Sequence, residues 1–204
     1  MKKGLTEIIF ILDRSTSMYF IQSVAISGFN EFLAEQKLQS GEANFTLVLF
    51  NHEYAVVKDG INIQNVEPLT EEVYVTSGMT AYFDAVGTTI ESVGHRLSDT
   101  PEEQRPEKVI FVILTDGEEN SSKKYTGSKI KEMIQHQEEK YSWKFIFLAA
   151  NQDAMISSSA IGISNYANFA FTPQAMGNTY STLSKSISNY RDTGSLEQMP
   201  ENIV

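Results

Sequence analysis

At 204 residues, with 41% hydrophobic and 21% charged positions, the chain suits one ordinary domain with a sheet covered on both faces, and its composition excludes a disordered protein. A formal net charge of −10 works against phosphate-driven binding to DNA or RNA, and the lysines at 123, 124, 129 and 131 read as the solvated start of a helix. The absence of cysteine excludes disulfides and thiolate chemistry, and no stretch reaches the ~20 apolar residues of a membrane span, so the expected setting is cytoplasmic and free of membrane.

Taken in chain order, the first element is the run Ile8–Leu12, which reads as a strand buried on both faces and stops at Asp13. Ser15, Thr16 and Ser17 follow it. Residues 19–38 then carry Ile21, Val24, Ala25, Gly28, Phe32 and Leu33 at helical spacing, and the strand pattern at 44–51 begins just after Gly41. Beyond it, alternation continues to Ile63 with a hairpin turn expected at Asp59-Gly60, which places an antiparallel edge beside a mostly parallel sheet.

A polar bend over 65–79 leads to Thr80, expected as the N-cap of a helix with Phe83, Val86, Ile90, Val93 and Leu97 inward. Asp84 lies one turn in, where the helix dipole favours a carboxylate. After a charged, proline-containing connection at 98–108, the apolar run at 109–114 delivers Thr115, Asp116 and Gly117, with Glu118 and Glu119 expected as a solvated turn. A helix over about 127–141, a strand over 143–151 and a short helical piece follow. Asn151 and Asp153 read as turn and cap residues at that strand's exit. An outer strand at 165–171 precedes a last helix with Met176, Tyr180, Leu183, Ile187 and Tyr190 on one stripe. The expected domain is therefore 1–191, with 192–204 as a polar tail that is mobile or pinned by a partner.

The chemistry gathers at strand exits, where open α/β sheets place their ligands. One carboxylate followed by alternating hydroxyls makes a small hard-oxygen nest suited to a divalent cation. Asp13, Ser15 and Ser17 in one loop, Thr80 in a second and Asp116 in a third together resemble the metal-ion-dependent adhesion site of the von Willebrand factor type A family. The likeness runs from the first strand to the helix near residue 190, and the phrases LDRSTSM, MTAYFDA and ILTDGEEN look most like small intracellular bacterial and bacteriophage members.

That resemblance implies a doubly wound, Rossmann-like α/β fold, mostly parallel with one antiparallel edge strand and helices on both faces. It also implies Mg2+, or Mn2+ or Ca2+, held by those five residues, and a protein partner that offers an Asp or Glu to the cation. The chain departs from the pattern at Thr16, which stands where glycine is usual in that group; a backbone needing positive φ would be strained there.

A binding module without catalysis is the leading expectation. Metal-dependent hydrolysis or phosphotransfer, and a scaffold that has lost its metal, are the alternatives. His52, His95 and His136 read as surface or satisfied residues, and no nucleophile elbow, phosphate loop or dinucleotide fingerprint occurs.

Overall fold

In the computed structural model, which describes residues 1–150 and 154–204, the first apolar run forms the centre of β1 (Lys2–Asp13). The chain continues through α1 (Gln22–Leu38), β2 (Glu42–Phe50), β3 (Tyr54–Asn62), α2 (Tyr82–Asp99) and β4 (Pro106–Thr115). It ends with α3 (Gly127–Tyr141), β5 (Lys144–Ala150), α4 (Ala154–Ala160), β6 (Tyr166–Phe169), α5 (Pro173–Thr193) and β7 (Asn202–Ile203). The strands build one seven-stranded sheet in the order β3-β2-β1-β4-β5-β6-β7, parallel throughout except for the antiparallel β2–β3 edge. This is the doubly wound α/β arrangement expected from the sequence.

Burial on both faces explains the uninterrupted apolar runs. Successive residues of β1 point to opposite faces, so Ile8, Phe10 and Leu12 pack with α1 and α5 while Ile9 and Ile11 pack with α2 and α3. On the first face the ring of Phe10 meets Phe29 and Phe32, both at 5.5 Å between centroids, and stacks on Tyr180 at 6.2 Å. Gly28 lets α1 and α5 approach, since a Cβ there would fall 2.2 Å from the Tyr180 ring. On the second face Phe111 stacks between Trp143 at 5.3 Å and Phe145 at 5.0 Å.

The order of connections reverses between β1 and β4, which run side by side in register from Thr6↔Lys108 to Leu12↔Leu114. Their C-terminal ends therefore open the crevice where such sheets accept ligands. Asp13 and Asp116 leave the sheet at that crevice. No described helix is long and apolar enough to cross a membrane.

Several local expectations are corrected. Asp59-Gly60 is not the hairpin turn: β3 runs through it, and Gly60, at φ +59°, forms a bulge whose N–H donates to the Thr46 hydroxyl at 2.9 Å. The reversal lies earlier, where the Glu53 N–H donates to the Asn51 side chain at 2.7 Å. Thr80 is not the N-cap of α2, because Ala81 holds that position. β6 is not outermost, since β7 pairs beside it in parallel. Residues 192–204, expected as a polar tail that is mobile or pinned by a partner, return to the sheet through β7, and Met199 and Ile203 are buried in the core.

Candidate metal centre

The first loop turns immediately after β1. The Ser15 N–H donates to Asp13 Oδ1 at 2.6 Å, closing a tight turn that starts the 3-10 segment Thr16–Ile21. Asp13 is fixed from a second direction by Thr115, the residue at the end of β4, whose hydroxyl donates to Oδ2 at 2.6 Å. The Ser15 and Ser17 hydroxyls lie 3.0 Å apart, and Ser17 donates to Asp116 Oδ1 at 2.7 Å. Thr80 joins them from the second loop: a Cβ at Gly117 would fall 2.7 Å from the Thr80 hydroxyl and 3.6 Å from that of Ser17. Glycine at 117 thus leaves room for a hydroxyl to face the carboxylates. All five residues expected at the site come together in one place.

The electrostatics of the cluster are unusual. Asp13 is fully buried, and burial pushes its carboxyl up to about 7 despite the donors from Thr115 and Ser15, with the nearby Asp116 charge adding to the rise. Burial also raises Asp116, against a lowering contribution from the Ser17 hydroxyl. Among the described residues, no Lys, Arg or His forms an ion pair with either carboxylate; Arg14 instead reaches Glu53 at 3.5 Å. Two adjacent buried acids without a counter-charge are costly unless protonated or joined by a cation. The donor set fits a hard divalent ion, with two carboxylates and three neutral hydroxyls. Among the described residues, no three His, Cys, Asp or Glu side chains gather to hold a metal, so any cation here would depend on those hydroxyls.

A supporting shell fixes the three loops, and most of it is not visible in the sequence. Tyr74, fully buried, donates its hydroxyl to the Asp13 carbonyl at 2.5 Å. Asn51, also buried, donates to the Ser77 carbonyl at 2.7 Å, and Ser77 N–H donates to the Arg14 carbonyl at 2.9 Å. The only signal for Tyr74 is one aromatic inside a polar bend.

Thr16 bears no positive φ, so the expected strain is absent. Its N–H and hydroxyl both donate to the Gly78 carbonyl, at 3.1 and 3.0 Å, and so tie the first loop to the second.

The third loop is equally well held. Asp84 accepts N–H bonds from Lys123, Lys124 and Tyr125, each at 2.8 Å. Glu119 is not a solvated turn residue: it accepts from the N–H groups of Phe83 at 3.0 Å, Ser121 at 2.9 Å and Ser122 at 2.7 Å. Glu118 is exposed. His52 does not ligate the cluster but packs against the second loop, where a Cβ at Gly78 would fall 2.0 Å from its Nδ1. Asn151 and Asp153 lie outside the described residues.

Comparison with known proteins gives a consistent picture. The von Willebrand factor type A domain profile matches residues 7–194. Among curated proteins, no sequence matches. Similar solved structures include the vWF domain of the type V pili tip protein Mfa5 from Porphyromonas gingivalis, at TM-score 0.67 and 9% identity over 94% of this chain and 98% of that one.

Proximal thread matrix protein 1 from the mussel byssus, whose structure has a zinc-occupied MIDAS motif, superposes at TM-score 0.60 and 16% identity over 91% of this chain and 46% of that one. Manganese-loaded TRAP protein from Plasmodium vivax superposes at 0.61 and 14% identity, over 88% and 74%. The chain spans less than half the length of the mussel protein and of the von Willebrand factor type A protein from Catenulispora acidiphila, of which 43% is covered. At these identities the likeness concerns the fold.

Proposed function

Because the chain belongs to the von Willebrand factor type A domain family, we propose that it is a metal-dependent protein-binding module holding a divalent cation through Asp13, Ser15, Ser17, Thr80 and Asp116. The observation that carries this reading is the meeting of two buried, unpaired carboxylates with three hydroxyls at the β1/β4 crevice. Domains of this family are usually non-catalytic binding modules, and we read this one the same way. Similar folds include one with zinc in its MIDAS motif and one loaded with manganese, which supports the same choice of ligand here.

When bound, a cation of this type supplies a Lewis-acidic coordination position that attracts a carboxylate from another protein. The protein's own residues prepare for it. Thr115 and the Ser15 N–H hold Asp13 so that its carboxylate cannot rotate away. Ser17 keeps Asp116 oriented. Burial of Asp13 excludes water from one side of the cluster, while Ser17 is exposed and marks the side from which a partner's Asp or Glu would enter. The neutral hydroxyls of Ser15, Ser17 and Thr80 would leave more charge on a bound ion than further carboxylates would, which would favour an acidic ligand.

The test is thermal unfolding of the full chain in magnesium, manganese and chelator, beside Asp13→Ala and Asp116→Ala. Metal at a hundred times its dissociation constant should stabilise the parent by about 2.7 kcal/mol. Neither variant should gain that increment, while both keep the parent's circular dichroism. Equal metal stabilisation of parent and both variants would place the ion elsewhere. No stabilisation of the parent would favour a metal-free interface at the same face.

A further inference from the structure

Five of the ten large hydrophobic side chains that are exposed among the described residues, Tyr19, Phe20, Val73, Val75 and Met79, lie in the two segments beside the Asp13–Asp116 site. Phe20 is 81% exposed, Tyr19 66% and Met79 57%. These segments form one ledge. Besides the Thr16–Gly78 bonds, the Gln22 side chain donates to the Tyr74 carbonyl at 3.1 Å and accepts from the Thr76 hydroxyl at 3.0 Å. The Tyr19 and Phe20 rings meet edge to face at 5.8 Å. Met18 and Ile21 of the same 3-10 turn are buried, so the core takes its share and leaves these two rings outside.

Charge separates this ledge from the opposite rim. No charged residue occurs from Ser15 to Asn30 or from Val73 to Phe83, in a chain of net charge −10. The third loop carries the exposed Glu118. An acidic segment lying along the ledge meets neutral, apolar surface there, whereas the third loop presents charges of both signs, Glu118 and the exposed Lys123 and Lys124. Clustered exposed apolar side chains of this kind mark interaction surfaces, whereas scattered ones need no explanation.

Resting on the metal-dependent reading above, we propose that this ledge recognises an extended segment of a partner protein in which a bulky apolar side chain stands two or three residues from the metal-seeking acid. Spacing sets that register. Phe20 lies three residues beyond Ser17 along a 3-10 turn, a rise of roughly 6 Å. Two residues of extended chain cover roughly the same span. The partner's backbone crosses the site from the cation toward Tyr19 and Phe20, with its apolar side chain between those rings and Met79.

The test is selection from a displayed library of seven-residue segments with a fixed central Asp or Glu and random flanks. The full chain is used in manganese and, in parallel, in chelator, together with the double variant Phe20→Ser/Met79→Ser. Manganese should enrich Leu, Ile, Met, Phe or Trp two or three positions from the acid. An enriched peptide should bind about tenfold or more tightly than its glycine-flanked counterpart. That advantage should vanish on the double variant, which keeps the parent's melting temperature and manganese shift.

Enrichment of the acid without an apolar preference overturns the proposal, as does an absence of any enrichment or a preference unchanged in the variant. Equal selection in chelator overturns it through its premise, and a missing manganese shift in the parent identifies that cause. A concentration-dependent dimer in sedimentation, lost in the double variant, would overturn it by assigning the ledge to a second copy of the chain.

Discussion

Glu7 and Asp13 are both fully buried on β1 and project from the same face of the sheet, yet they are accommodated in opposite ways. Glu7 has an internal counter-charge: Arg96 of α2 reaches Oε1 at 2.7 Å, and the same guanidinium pairs with Asp59 at 2.9 Å. The bulge at Gly60 makes room for it, since a Cβ there would fall 2.4 Å from Arg96 Nη1. Asp13, at the strand's end, receives only hydroxyl and N–H donors and no basic side chain among the described residues. The middle of the strand is closed by the fold itself, whereas its end holds a carboxyl that is costly unless a proton or a cation joins it.

The largest expected effect breaks the closed middle of the strand. Arg96→Leu strands the Glu7 carboxylate in the core and should cost about 3 to 5 kcal/mol. Denaturant unfolding would register this as a lowered midpoint, and adding Glu7→Gln to the same chain should recover much of the loss. Asp13→Asn, by contrast, should leave the metal-free protein as stable as the parent at neutral pH or more so, because it removes a charge that has no partner. If Arg96→Leu costs no more than an ordinary surface substitution, the middle and the end of β1 are not different in kind.

pH provides the next largest effect. Asp13 holds its proton more tightly in the folded chain, up to about 7, than the ordinary value of 3.8 in the unfolded one. Its contribution to stability is therefore complete below about pH 4 and is lost as pH rises through 7, by at most about 4 kcal/mol. In chelator, the parent should lose stability relative to Asp13→Asn across that window. Manganese should reverse the trend, because the ion competes with the proton for the same oxygens. Parallel pH profiles for parent and variant in chelator would show that Asp13 titrates near its ordinary value.

The contrast also explains what could be read from the sequence. Asp13 and Asp116 each end an uninterrupted apolar run, and a charge at that point announces a strand leaving the sheet. The sheet and its antiparallel edge follow from the same runs. Thr115 has the same signal, yet its bond to Asp13 depends on the β1–β4 register, which no single segment encodes. Tyr74, Asn51 and Glu119 act on loops distant in sequence, through bonds that exist only once the loops meet. The Asp59-Gly60 pair marks a backbone that bends, but bulge and turn share that signature, and the choice between them is made by Thr46 and Arg96. β7 is two residues long, too short to show alternation.

Smaller effects sharpen the open end. Tyr74→Phe keeps the buried ring and removes the hydroxyl held to the Asp13 carbonyl, a loss of about 1 kcal/mol. Because the carbonyl belongs to the residue that would hold the ion, metal affinity should fall along with stability. Calorimetric titration with manganese measures the first and thermal unfolding in chelator the second. A variant that loses stability but binds metal as before would show that Tyr74 supports the loop without orienting the carboxylate.

The smallest effect concerns the tie between loops. Thr16→Val preserves the shape of the side chain and deletes its hydroxyl bond to the Gly78 carbonyl, while the N–H bond to the same oxygen remains. Thr16 is exposed, so water can replace the lost donor, and the cost should be near 0.5 kcal/mol. Manganese affinity should change about twofold or less, because neither Asp13 nor Asp116 is touched by the change. Thr16→Gly removes the same bond and also loosens the backbone between the two serines, so it should cost more than valine does. If glycine instead raises both stability and affinity, threonine at this position is a constraint on the first loop and not its anchor to the second.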